Sequence, residues 1–153
     1  MKNQELNLLC TEEEVRQMVL AFYGAARIDP DLGPIFEGHI QDWSPHLDRM
    51  VDFWSNLLRG TGQYRGSPMP MHMKLPELNA TLFHRWLALF KVSTVQSCSP
   101  PMALRAIFLA ERIAQSLWMA YQMNHAPDQM PHPKAARHGS QHFSRSACLG
   151  ALC

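Results

Sequence analysis

The sequence predicts an all-α domain. Three observations carry that reading. Apolar residues recur at i, i+3, i+4 spacing in four separate segments. Most prolines and glycines fall between those segments, and Pro45 and Pro101 sit in first turns. No run alternates β-branched and polar residues, so no sheet is expected.

The first helix is opened by "TEEE". Thr11 with Glu14 three positions on makes a capping-box pattern, and three acids suit the positive end of a helix. Val15, Met18, Val19, Phe22 and Ala26 follow at helical spacing. Pro30 disfavours helical geometry at Asp29, which predicts a stop near Ile28. The next piece, "DPDLGPIF", is too interrupted by Pro30, Gly33 and Pro34 for a long helix, but it delivers Leu32, Ile35 and Phe36 to one place.

The second long helix is expected over about 43–58, with Pro45 tolerated in its first turn. Trp43, His46, Leu47, Met50, Phe53 or Trp54, and Leu57 form its apolar stripe, and Gly60 and Gly62 end it. The loop "GTGQYRGSPMP" leads to His72, expected on a turn or two of helix closed by Pro76. Asn79 is a plausible N-cap for a third helix over about 80–95, with Leu82, Phe83, Trp86, Leu87 and Phe90 on its buried side. "SPP" at 99–101 punctuates. The fourth helix is expected over about 101–123, with Leu104, Ile107, Phe108, Ala114, Leu117, Trp118 and Tyr121 on its apolar flank.

From His125 the composition turns to proline, histidine and small residues. The chain therefore divides into a domain at 1–124 and a Pro/His-rich tail at 125–153, read as mobile and disordered. There is no internal repeat.

With 153 residues the chain has the size of one domain and can bury a real core. Hydrophobic residues make up 46% and formal net charge is +1. That balance argues against nucleic-acid binding driven by bulk charge. No apolar run reaches the roughly 18 residues of a membrane span. The start lacks a long apolar segment with a cleavage site, so no signal peptide is read. Cys10, Cys98, Cys148 and Cys153 form no C-x-x-C pair, which sets aside the usual zinc spacings and covalent haem attachment. They read as free thiols of a cytoplasmic protein.

Six of the eight histidines read as solvated: His39, His84 and the tail histidines 125, 132, 138 and 142. His46 and His72 differ, because each sits in an apolar setting, His72 inside "MPMHMKLP". By residue type alone, a satisfied core or surface histidine accounts for each better than a ligand does. No catalytic serine motif, phosphate loop or H-E-x-x-H pattern occurs.

Three pieces in order, "FYGAARIDPDLGPIF" (22–36), "WSPHLDRMVDFWSNLLRGTGQYRGSPMPMH" (43–72) and "LP...FHRWLALF" (75–90), carry more information. Together the chain over about 8–123 resembles a group III truncated haemoglobin, a bacterial two-on-two globin. The resemblance implies a two-on-two helical sandwich around haem b, iron protoporphyrin IX. It implies that His72, in "H-x-x-L-P", is the proximal iron ligand. Tyr23 takes the distal tyrosine position, Trp86 the distal tryptophan, His46 the distal gate, and Phe36 the phenylalanine packed on the haem. Met50 and Trp54, with Phe22, Phe53 and Phe90, would line the pocket or its back wall. Imidazole is a strong ligand for haem iron. Methionine is the rival ligand, but Met69, Met71 and Met73 share a short element with His72 and do not easily reach the opposite haem face. The sequence departs from the expected pattern at Pro70 and Met71, where a polar or basic residue would serve a propionate; Arg49, Arg65, Lys74 and Arg85 are the candidate cations.

The implied partners are oxygen and other diatomics, nitric oxide or CO, or peroxide. Nitric oxide dioxygenation or peroxidase-like turnover would require a separate reductase. The reading from another class is a haem-free helical interaction module, supported by the His-rich tail and the many methionines.

Overall fold

The computed structural model describes residues 9–62, 64 and 79–125. Among these there are five helices and no strand: α1 (Glu12–Ile28), α2 (Gly33–His39), α3 (Trp43–Arg59), α4 (Ala80–Ser97) and α5 (Pro100–His125). The expected all-α class stands. His72 and the segment around it, and the tail beyond 125, lie outside the described residues.

The starts and stops follow local chemistry. At α1 the Thr11 hydroxyl accepts from Glu14 N at 3.1 Å, and Glu14 Oε1 accepts from Thr11 N at 3.3 Å. That reciprocal pair satisfies two of the helix's orphan donors. Helix α1 ends at Ile28 because Asp29, before Pro30, is extended at φ −67 and ψ 131. Asp42 caps α3 by accepting from Ser44 N at 3.3 Å, and Gly60 closes it at φ 67, the left-handed geometry glycine adopts without strain. Asn79 caps α4 through Leu82 N at 3.0 Å. Helix α4 runs two residues past the expected end, since nothing before Pro100 forbids helical backbone.

Two helix pairs stack. Helix α1 packs against α3, and α4 against α5; α1 also lies on α4, and α3 touches α5. The core between them is one cluster from Cys10 to Leu117, with Trp86, Phe53, Phe90, Met18 and Leu58 among its most deeply buried side chains.

The corner between α1 and α2 is tightly built. Asp29 Oδ1 accepts from Asp31 N at 2.9 Å and Leu32 N at 3.0 Å. Its Oδ2 receives Arg85 of α4, Nη2 at 2.7 Å and Nε at 2.9 Å. The Asp29 side chain is only 4% exposed. Burial alone would raise its pKa; the hydrogen bond from Arg85, the two backbone donors and the guanidinium charge outweigh that and hold it below the ordinary 3.8. Gly33 opens α2 against α1, where a Cβ would stand 2.5 Å from the Arg27 carbonyl oxygen. Only glycine fits that approach.

The apolar flank expected on α5 is corrected. Leu104 is 74% exposed and Phe108 47% exposed. Ala114, Leu117 and Tyr121 are buried as expected, and the rest of the buried face is carried by Met102, Ala103, Ala106, Ala110 and Ile113. Alanines let a helix sit close to its neighbour, and both faces of α5 are apolar, so periodicity alone could not choose between them.

Replacing Asp29 by Ala should remove acceptors from two backbone donors and from Arg85. Urea unfolding at pH 7 should show a loss of about 1–3 kcal/mol. Because the folded-state pKa is depressed, this stabilisation is complete above the ordinary value of 3.8 and disappears as pH falls through the lower folded value. The gap between the two proteins should therefore close in acid; a gap that persists there would place the effect in packing. Gly33→Ala should cost roughly 1–3 kcal/mol by overpacking.

Candidate functional site

One continuous aromatic system links α1, α2, α3 and α4. Tyr23 of α1 is its hub. It meets Phe22 at 5.0 Å, His46 at 5.1 Å, Phe36 at 5.6 Å and Trp43 at 5.7 Å, ring centre to ring centre, all edge to face. Phe22 continues the system to Trp86 at 5.8 Å and Phe90 at 5.6 Å. Phe90 is stacked between Trp86 and Trp54, at 5.5 and 5.0 Å. Edge-to-face and offset pairs set the positive rim of one ring against the negative face of the next, so each contact also orients its ring.

Helical phase explains the convergence. Phe22 and Tyr23 are adjacent on α1 and turn towards different neighbours, Phe22 to α4 and Tyr23 to α2 and α3. His46, Met50 and Trp54 follow one another at one-turn spacing on α3, and all are buried. Trp86 and Phe90 are one turn apart on α4. The Asp29–Arg85 tie pins the chain at the residue next to Trp86.

Polar atoms are few here. Trp86 is 1% exposed, and its Nε1 meets no hydrogen-bond partner among the described residues. A buried donor left without an acceptor costs about 1–3 kcal/mol. Among the described residues the site is therefore short of one acceptor. Tyr23, 3% exposed, and His46, 3% exposed, bring a phenol and an imidazole into the same apolar setting. The chemistry on offer is hydrogen bonding to a small polar guest inside an otherwise greasy enclosure. Among the described residues no three His, Cys, Asp or Glu side chains come together to hold a metal ion.

Tyr23, Phe36, His46, Met50, Trp54 and Trp86, singled out from sequence, are all buried and belong to one core cluster or line it. Phe22, Phe53 and Phe90 join them. His72 lies outside the described residues, as do Arg65 and Lys74. Of the other candidate cations, Arg85 is held by Asp29 and, at 3.7 Å, by Asp31, while Arg49 is exposed. His39 and His84 are exposed, as expected.

Sequence reasoning missed the outer support of the site. The Arg27 guanidinium lies over the Trp43 ring, 4.2 Å from its centre. Its Nε donates to Glu37 Oε1 at 2.8 Å, and Trp43 Nε1 donates to Glu37 Oε2 at 3.4 Å. The hydrogen bond from Arg27, aided by the one from Trp43, holds the Glu37 carboxyl below its ordinary pKa against the opposing effect of desolvation. These three side chains come from three helices, and no local spacing links them. The only hint was an aromatic residue one turn before His46 in "WSPH".

A separate groove of about 480 Å³ between α4 and α5 is lined by Phe83, Leu87, Phe108 and Trp118 and includes none of Tyr23, His46, Met50 or Trp86. At the far end of the core, Cys10 and Cys98 are free. Burial, helped by the Glu14 charge, pushes the Cys10 thiol up to about 11. Burial raises the Cys98 thiol as well, so at pH 8 both Cys10 and Cys98 should react with iodoacetamide far more slowly in native buffer than in urea, and mass mapping of the alkylated peptides checks this.

The chain matches no protein-family model. It is similar to the group 3 truncated hemoglobin ctb of Campylobacter jejuni, with 36% identity over 86 residues, 54% of this chain and 68% of that protein. It is also similar in structure to the crystal structure of group III truncated hemoglobin from Campylobacter jejuni. That match has a TM-score of 0.69 and 29% sequence identity, and covers 79% of this chain and 96% of the other.

Proposed function

The chain belongs to the group 3 truncated haemoglobins, and on that premise we propose that it binds haem b and uses Tyr23 and Trp86 to hold oxygen or another diatomic gas. The observation that carries the proposal is the buried Trp86 N–H with no acceptor among the described residues. A donor in that position fits a guest that brings its own acceptor. The aromatic enclosure of Phe22, Phe36, Trp54 and Phe90 fits a large planar apolar group beside it.

In this reading His72 would hold the haem iron through its imidazole. Haem supplies an iron position at which a diatomic gas binds. Trp86 Nε1–H and the Tyr23 hydroxyl donate to the gas, which favours retention because a hydrogen bond to a partly charged acceptor is worth more than the usual ~1 kcal/mol. Phe36 and Met50 exclude water from that corner; both are buried. His46, on the α3 face next to Tyr23, stands at the entrance.

Tight retention suits chemistry on the gas better than rapid delivery. Nitric oxide dioxygenation and peroxide turnover are the two reactions this arrangement serves, each with an electron donor from a separate reductase. We place the protein in the cytoplasm, in keeping with free thiols at Cys10 and Cys98. Among the described residues no helix is long and apolar enough to cross a membrane. Residues 1–124 form the globin unit in this proposal and 125–153 an appendage.

The purified protein should show an intense Soret band that shifts with CO. Resonance Raman of the ferrous form should show an Fe–imidazole stretch that His72→Ala abolishes; a stretch that survives the substitution removes His72 from the role. Tyr23→Phe and Trp86→Phe should each speed oxygen loss, by about 10-fold for each 1.4 kcal/mol of hydrogen bonding removed. Stopped-flow displacement by CO measures it, and unchanged off-rates in both variants would exclude these donors. A chain ending at residue 125 should take up haem as the full chain does.

A further inference from the structure

We infer that Trp43, clamped from outside by Arg27 and Glu37, is a positioning residue that holds His46 inward and thereby sets how fast small ligands enter the pocket. The inference rests on the reading of His46 as the entrance residue.

Trp43 stands one turn before His46 on α3. A helical side chain leans towards the N-terminus, over the preceding turn. His46 therefore leans onto Trp43, and the two rings meet edge to face at 5.8 Å and 89°. Tyr23 closes the triangle, 5.1 Å from His46 and 5.7 Å from Trp43. His46 is only 3% exposed in this arrangement. For its ring to swing out, the indole beside it has to give way.

The indole is held on its other side. The Arg27 guanidinium covers its face at 4.2 Å, and Glu37 accepts from its N–H at 3.4 Å while the same carboxylate takes Arg27 Nε at 2.8 Å. One carboxylate thus fixes both the ring and the cation lying on it. The cation comes from the last turn of α1, the carboxylate from α2 and the indole from the first turn of α3, so the clamp spans all three elements that frame Tyr23. The Arg27 and Glu37 side chains are 42% and 48% exposed. Exposed contacts of this kind are weak and screened. Their effect is therefore an adjustment of the gate, and their loss should leave the fold intact.

The test uses the full-length, haem-loaded protein. Glu37→Gln and Arg27→Gln should raise the CO association rate after flash photolysis by about 2- to 5-fold, the change that contacts of this strength allow. Trp43→Ala should raise it further, and Trp43→Phe should restore part of the native rate. In a His46→Ala background Glu37→Gln should add nothing. A change of equal factor with and without His46, or no change in the native background, overturns the inference. A second readout is independent of kinetics: in the diamagnetic CO-bound protein, the His46 ring protons should shift in Glu37→Gln while those of Phe90 stay put. Unmoved His46 resonances overturn the positioning role by themselves. Should His46→Ala leave CO association unchanged, the entrance reading itself fails, and with it the claim on ligand entry; a protein that takes up no haem at all refutes the globin proposal instead.

Discussion

A single buried carboxylate holds the geometry together. Asp29 closes α1, caps the turn into α2 through two backbone amides, and ties both to α4 through Arg85. Tyr23 lies on the helix that it closes, Phe36 on the one that it starts, and Trp86 next to the arginine it binds. A carboxylate this buried is tolerable only because each oxygen is engaged, one by amides and one by a guanidinium. Gly33 completes the corner by letting α2 approach the end of α1 more closely than any Cβ permits. The spacing of three of the pocket's rings thus traces back to one aspartate, one arginine and one glycine.

The pocket is built from the opposite principle. Its rings satisfy one another by edge-to-face contact, its polar atoms are few, and Trp86 Nε1 meets no partner among the described residues. An apolar wall makes each remaining donor stronger, because no water competes for it. In the proposed reading such an enclosure would retain a small polar guest through hydrogen bonds rather than through charge. Charge appears only at the rim, where Arg27 and Glu37 grip Trp43 from the solvent side.

Helix α5 shows how a sound pattern can mislead. Leu104 and Phe108 repeat at helical spacing and are large, so they look like core. They are exposed, and small alanines are inside. Arg105 and Arg112 both lie near the Phe108 ring, at 5.7 and 5.6 Å, which shields part of it from water. Size is a poor guide to burial where two helices need to pack closely. The neighbour's surface decides the face, and α4 supplies its own bulk in Phe83, Trp86 and Phe90.

Helix starts and stops were legible in the sequence, because they depend on residues adjacent or three apart: Thr11 with Glu14, Asp29 before Pro30, Asn79 with Leu82, Gly60 after Arg59. The residues of the enclosure were legible too, through the order and spacing of three segments that resemble a known family. What the sequence could not display was any relation between residues far apart along the chain. Asp29 finds Arg85 across 56 positions, and Arg27 reaches Glu37 around a corner. Neither pair leaves a periodic trace, since each depends on where three helices meet. Local sequence determines backbone conformation through nearby hydrogen bonds and sterics; only the packed structure decides which donor meets which acceptor, because that choice is made by distance in space.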